Sequence, residues 1–138
     1  MTQMKVVATL LAACAVSVSG ASWGQSPPCS KDAKQYCIAT IIVPAGCGSG
    51  IKVAPDPLNV KGMVEITWNV VTPGWKFTGN GIEFKFPKEQ KALTFKGKTG
   101  DTTVKYDNKG DAGIYKYDIS LVGPDKIDCR VDPTVINW

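Results

Sequence analysis

The chain has 138 residues, 43% hydrophobic and 20% charged, with a formal net charge of +4, five cysteines and no histidine. A chain of that size builds one small domain with a limited core. The missing histidine removes Ser-His-Asp and Cys-His nucleophiles, His-ligated zinc and blue-copper sites, and +4 is too weak a field to mark a nucleic-acid footprint.

Residues 1–24 read as a signal peptide. Lys5 precedes an apolar run at 6–18 (VVATLLAACAVSV) that is too short to span a bilayer as a helix. Ser22 and Gly24 are the small residues a signal peptidase reads, so cleavage is expected before Gln25, with Ala21 and Ser22 as other ends. A second route stays open: Leu11-Ala12-Ala13-Cys14 resembles a bacterial lipobox, in which Cys14 would carry the lipid and anchor the protein to a membrane. Without the leader the net charge is about +3.

Residues 25–35 (QSPPCSKDAKQ) are polar and Pro-rich and form an N-terminal arm; the folded domain is expected over 36–138. Four cysteines remain, Cys29, Cys37, Cys47 and Cys129, an even number in an exported chain, so two disulfides are the default over metal ligation. There is no CxxC pair for a thiolate zinc site. If a strand starts at Cys37, Cys47 lies roughly 25 to 30 Å away, too far for a direct bridge. That leaves Cys29–Cys37 with Cys47–Cys129, which closes one short loop, or Cys29–Cys47 with Cys37–Cys129.

Along the domain, residues 36–43 (YCIATIIV) are rich in β-branched side chains and stop at the turn cluster 44–50, a strand followed by a loop. Residues 51–53 and 58–60 give a broken strand, interrupted by Pro55-Asp56-Pro57, which fits only an edge or a bend. Residues 63–71 (MVEITWNVV) alternate, with Val64, Ile66, Trp68 and Val70 on one face. A short alternation at Trp75-Lys76-Phe77 leads into Thr78-Gly79-Asn80-Gly81, a turn signal before a strand at 82–86. Short strands are expected at 94–96 and 102–106, a turn at 107–111, a strand at 114–122 with Tyr115, Tyr117, Ile119 and Leu121 on one face, and a last strand near 130–137. Seven to nine short strands at such spacing, with no helical period, describe an all-β antiparallel sandwich or barrel.

Two segments resemble cupredoxin-type and Ig-like sandwiches. Val64-Glu65-Ile66-Thr67-Trp68-Asn69, running on to Thr72-Pro73-Gly74, is similar to the cupredoxin V-x-W-x-N strand and the Pro-His after it, whose His binds copper; Gly74 stands at that position. Gly113-Ile114-Tyr115-Lys116-Tyr117-Asp118-Ile119 is similar to the G-x-Y-x-Y/F-x-C strand that delivers the ligand Cys, and here Ile119 takes its place. The resemblance implies a Greek-key cupredoxin-like or Ig-like scaffold that has lost its copper ligands, so no cofactor or metal is expected. The closing 132–137 (DPTVIN) is similar to the end of small exported bacterial domains of this type, which carry no established activity. Asp111-x-Gly113-x-Tyr115-x-Tyr117 is also laid out like a tyrosine corner, which would make Tyr115 or Tyr117 structural.

For function, Trp75 and Phe77 with Lys76 form a candidate binding platform for a sugar ring or a partner chain, weighed against simple packing in the core. Lysines 85, 88, 91, 96, 98, 105 and 109 give one basic half, a solvated and aggregation-resistant face or a surface for anionic partners. Asp107, Asn108 and Asp111 share a turn whose spacing does not match a calcium loop. No catalytic residue stands out. The expectation is a periplasmic or secreted non-enzymatic binding or accessory module, an outer-membrane lipoprotein if Cys14 is lipidated, with an unidentified protein or cell-envelope partner and no nucleic acid. The alternatives are a carbohydrate-binding module and a hydrolase built on two of Glu83, Glu89 and Asp101.

Overall fold

The computed structural model describes residues 27–31, 37–47, 50–85 and 91–138. The leader with Cys14, most of the arm, Tyr36, Phe86, Lys88 and Glu89 lie outside the described residues. Eleven strands are present among them: β1 (Cys29–Ser30), β2 (Cys37–Ile42), β3 (Lys52–Ala54), β4 (Leu58–Lys61), β5 (Val64–Val70), β6 (Lys76–Phe84), β7 (Leu93–Thr99), β8 (Thr103–Asn108), β9 (Gly113–Val122), β10 (Asp128–Val131) and β11 (Thr134–Asn137). Two short 3-10 turns, Ala45–Cys47 and Pro124–Lys126, are the only helical elements among the described residues.

The strands form two sheets. One has the order β3-β2-β5-β8-β7; the other runs β1-β4-β11-β9-β10, with β6 also paired to β9. The all-β reading holds, but a purely antiparallel arrangement does not. Both sheets are mixed, because β2 runs parallel to β5, and β4 runs parallel to both β1 and β11. Parallel neighbours need a crossover, and here β3 and β4 supply it. β3 pairs antiparallel with β2 in the first sheet, the Pro55-Asp56-Pro57 bend interrupts the ladder, and β4 joins the second sheet. The Asp56 carboxylate accepts the Thr134 N–H at 3.1 Å and so ties this bend to the start of β11.

Alternation decides which side chains meet between the sheets. β5 buries Ile66, Trp68 and Val70, and β9 buries Tyr115, Tyr117, Ile119 and Leu121. Trp68 packs edge-on against Tyr106 and Tyr117, with ring centroids at 5.7 and 5.5 Å, and Phe84 closes the cluster 5.2 Å from Tyr106. Such pairs add about 0.5–1.5 kcal/mol each beyond their buried area.

One disulfide joins the two sheets, and the other ties the turn after β2 to the second sheet. Cys29 of β1 bonds Cys37 of β2, and Cys47, just after β2, bonds Cys129 of β10; the Cα atoms are 5.3 and 6.3 Å apart. Strand β2 is thus fixed to the opposite sheet at its first residue, and the turn that follows it is fixed there as well.

Polar groups are also satisfied between the sheets. Asn108 and Asn137 exchange side-chain hydrogen bonds at 3.2 and 2.8 Å, and they donate to the carbonyls of Gly62 and Asp111 at 2.8 and 2.7 Å. β8 continues through Asn108, so this residue belongs to a strand and faces inward, which takes it out of the acidic turn. The Tyr115 hydroxyl donates to the Asp111 carbonyl at 2.9 Å, a bond back to the backbone just upstream. Tyr117 instead receives the Trp68 indole N–H.

Candidate functional site

The candidate site grows from an irregularity in β6. The Thr78-Gly79-Asn80-Gly81 turn signal does not separate two strands; it lies inside a single one. β6 pairs with β9 as Phe77↔Leu121 and then as Ile82↔Ile119, so four residues of β6 stand opposite Ser120 alone. Gly79 and Gly81 have φ of +56° and +77°, a region that glycine enters without steric cost. At Gly81 a Cβ would also lie 2.6 Å from the Phe77 ring. The same chemistry that makes a hairpin turn therefore makes a bulge, and bulges bend a strand and redirect its side chains.

The bulge borders a cleft of about 420 Å³ lined by residues 78–84 with Tyr106 and Ser120. Of these, Tyr106 is buried and Phe84 packs in the aromatic cluster, whereas Glu83 and Ser120 fall between inward-facing neighbours on β6 and β9 and so face outward. Lys98, on the facing edge strand β7, donates to the carbonyls of Phe77 and Gly79 at 3.3 and 3.1 Å and braces the bulge from the other sheet. The Tyr106 hydroxyl donates to the Ile82 carbonyl at 2.6 Å. Burial, aided by the Glu83 charge, pushes that phenol up to about 12, so it is a neutral hydrogen-bonding group and no acid-base catalyst at neutral pH.

The structure places the expected platform differently. Trp75 is 6% exposed and Phe77 3%. The Trp75 indole lies under Gly123, where a Cβ would come within 2.6 Å of the ring, and Phe77 occupies an inward position of β6. Neither ring presents a face for stacking, so the platform is corrected to core packing. Lys76 alone of the three is exposed, and it pairs with Asp101 at 3.6 Å.

The basic half is interleaved with carboxylates. Glu65 receives Lys96 and Lys105 at 2.6 and 2.9 Å, and Lys96 also reaches Asp107 at 3.5 Å. Lys85 bridges Asp118 and Asp132 at 2.9 and 3.3 Å. Hydrogen bonds from Lys96 and then Lys105 hold the Glu65 carboxyl below its ordinary value, the opposite of what a general acid needs. Of the carboxylates weighed for hydrolysis, Asp101 belongs to Lys76, and Glu83 is the one acid in the cleft lining.

At the two positions where the expected resemblance would have put copper ligands, Gly74 has no donor atom and packs against Pro124, while Ile119 is fully buried. Copper does not fit this residue set. Among the described residues no three of Cys, Asp and Glu converge on a point. Sequence reasoning missed Asn80, Tyr106 and Ser120; the signal for the first was the glycine pair around it. No protein-family model and no curated protein matches the chain.

Proposed function

We propose that the chain is an exported binding or accessory module of the cell envelope, on a copper-free cupredoxin-like or Ig-like Greek-key scaffold. The observation that carries this reading is the β6 bulge with the cleft of about 420 Å³ beside it, bordered by Thr78, Asn80, Glu83 and Ser120. Among the described residues its lining holds one carboxylate, whereas glycoside hydrolysis uses a pair of acids. The two disulfides support an oxidising compartment, and the apolar leader followed by small residues supports export.

The test is intact-mass analysis of the protein recovered from fractionated cells, with and without reductant. A periplasmic or secreted chain that begins at Gln25 and gains two hydrogens per disulfide on reduction supports the reading. A membrane-bound chain beginning at lipidated Cys14 supports its anchored form. A cytoplasmic chain with free thiols overturns it. Purified mature protein should then retain cell-envelope material, and the retained component should be recovered chemically unchanged.

A further inference from the structure

We propose that Asn80 is a site of covalent self-modification, at which the folded protein converts a side-chain amide into a carboxylate. The proposal stands apart from the binding role above. Asparagine is among the thermolabile side chains, and its loss is an intramolecular reaction. The backbone nitrogen of the next residue attacks the side-chain amide carbon. A C–N bond forms to close a five-membered imide, the bond to the amide nitrogen breaks, and that nitrogen leaves with the displaced proton as ammonia. Water then opens the imide at either carbonyl. The product is aspartate or, where the main chain is rerouted through the side chain, isoaspartate. One water is consumed and one ammonia released, with no oxidant, reductant or cofactor.

The attack is least obstructed when the following residue has no side chain, and Asn80-Gly81 is the only Asn-Gly pair in the sequence. The fold demands that glycine, since Gly81 has φ of +77° and a Cβ there would lie 2.6 Å from the Phe77 ring. Asn80 itself is exposed to the water that opens the imide. The bulge also takes this peptide out of the ladder, because the β6–β9 register stops at Phe77 and resumes at Ile82. The other asparagines lack these features. Asn59, Asn108 and Asn137 are buried; the first accepts the Trp138 indole N–H and the other two bond each other. Asn69 is paired on both sides within its sheet and accepts from the Thr103 hydroxyl at 2.8 Å. The new carboxylate would join Glu83 on the outer side of β6, and the isoaspartate form would lengthen the main chain of the bulge by one carbon.

The test is incubation of the disulfide-bonded mature protein at mildly alkaline pH in water labelled with heavy oxygen, followed by ion exchange and tryptic mapping. The expected result is a more acidic form, with labelled aspartate and isoaspartate confined to the peptide 77–85 and ammonia released in equal amount. The rate should be within about tenfold of that for the same peptide in the reduced, denatured chain. Asn80→Gln, which would need a six-membered ring, should keep its Tm and give no acidic form of that peptide. The proposal is overturned if the folded protein converts Asn80 more than about tenfold slower than the denatured chain, if another asparagine converts first, or if Asn80→Gln acidifies as the parent does.

Discussion

The indole N–H of Trp68 donates to the Tyr117 hydroxyl at 3.1 Å, one from each sheet and both fully buried. This bond fixes the facing register at the centre of the aromatic cluster. Tyr117→Phe keeps the ring and leaves the indole N–H without its acceptor, which costs about 1–3 kcal/mol. Urea unfolding at pH 7 reads the loss, and a cost below about 0.5 kcal/mol would show that the indole finds another acceptor.

Burial raises the Tyr117 phenol strongly, and burial with the Glu83 charge lifts Tyr106 to about 12. Below the ordinary phenol value of about 10 both groups are protonated in the folded and the unfolded chain, and stability does not depend on them. Above it the unfolded chain ionises first, so stability falls as pH rises toward the folded values. Denaturant midpoints should be flat from pH 8 to 9.5 and drop by pH 11, with Tyr106→Phe reducing the slope. An unchanged slope in that variant would assign the alkaline loss to other groups.

The two disulfides close loops of very different length, with sequence separations of 82 and 8. On the chain-entropy account, replacing Cys47 and Cys129 together by Ala costs about 4 to 5 kcal/mol, against about 2 to 3 for Cys29 and Cys37. Tm should therefore fall further for the first pair. The reverse order would mean that strain or residual structure outweighs loop entropy.

Gly79 and Gly81 both sit at positive φ, but only Gly81 lies against the Phe77 ring. Gly79→Ala pays backbone strain alone, about 1 kcal/mol, whereas Gly81→Ala adds a clash and costs about 2–4 kcal/mol in all. Equal losses for the two would mean that Phe77 moves aside freely. Thermal melts of the two variants make the comparison.

Glu65 is held ionised by Lys96 and Lys105. Its lowered pKa contributes stability that is present above the ordinary carboxyl value and is lost as pH falls through the lowered one. The groups are partly exposed, so the contribution is small and salt-sensitive. Glu65→Gln should lower Tm by no more than about 5 °C at low salt, and about 1 M NaCl should erase the difference. A loss that persists in salt would point to packing.

The strands legible in the sequence are those whose inward face is unbroken. β5 and β9 alternate through Ile66, Trp68 and Val70 and through Tyr115 to Leu121, and one buried face fixes such a pattern. The Tyr115 bond back to the Asp111 carbonyl was legible in the local spacing of the two residues. The parallel β2–β5 pairing was not, because it depends on β3 and β4 lying in different sheets, and nothing local encodes that. β6 reads as two strands because glycines at positive φ serve a hairpin turn and a bulge equally. The cleft was legible only in its glycines; Glu83, Tyr106 and Ser120 come from three strands and meet through the fold. Trp75 was misleading because its burial depends on Gly123, distant in sequence.

Because β1 is joined to β2 through Cys29 and Cys37, tension applied to the chain ahead of Cys29 enters both sheets at the same point. β1 cannot be peeled from β4 without drawing on β2, and the turn after β2 is held in its own right through Cys47 and Cys129. A pull on the N-terminal side of the domain would therefore reach β1 and β2 alike through Cys29 and Cys37.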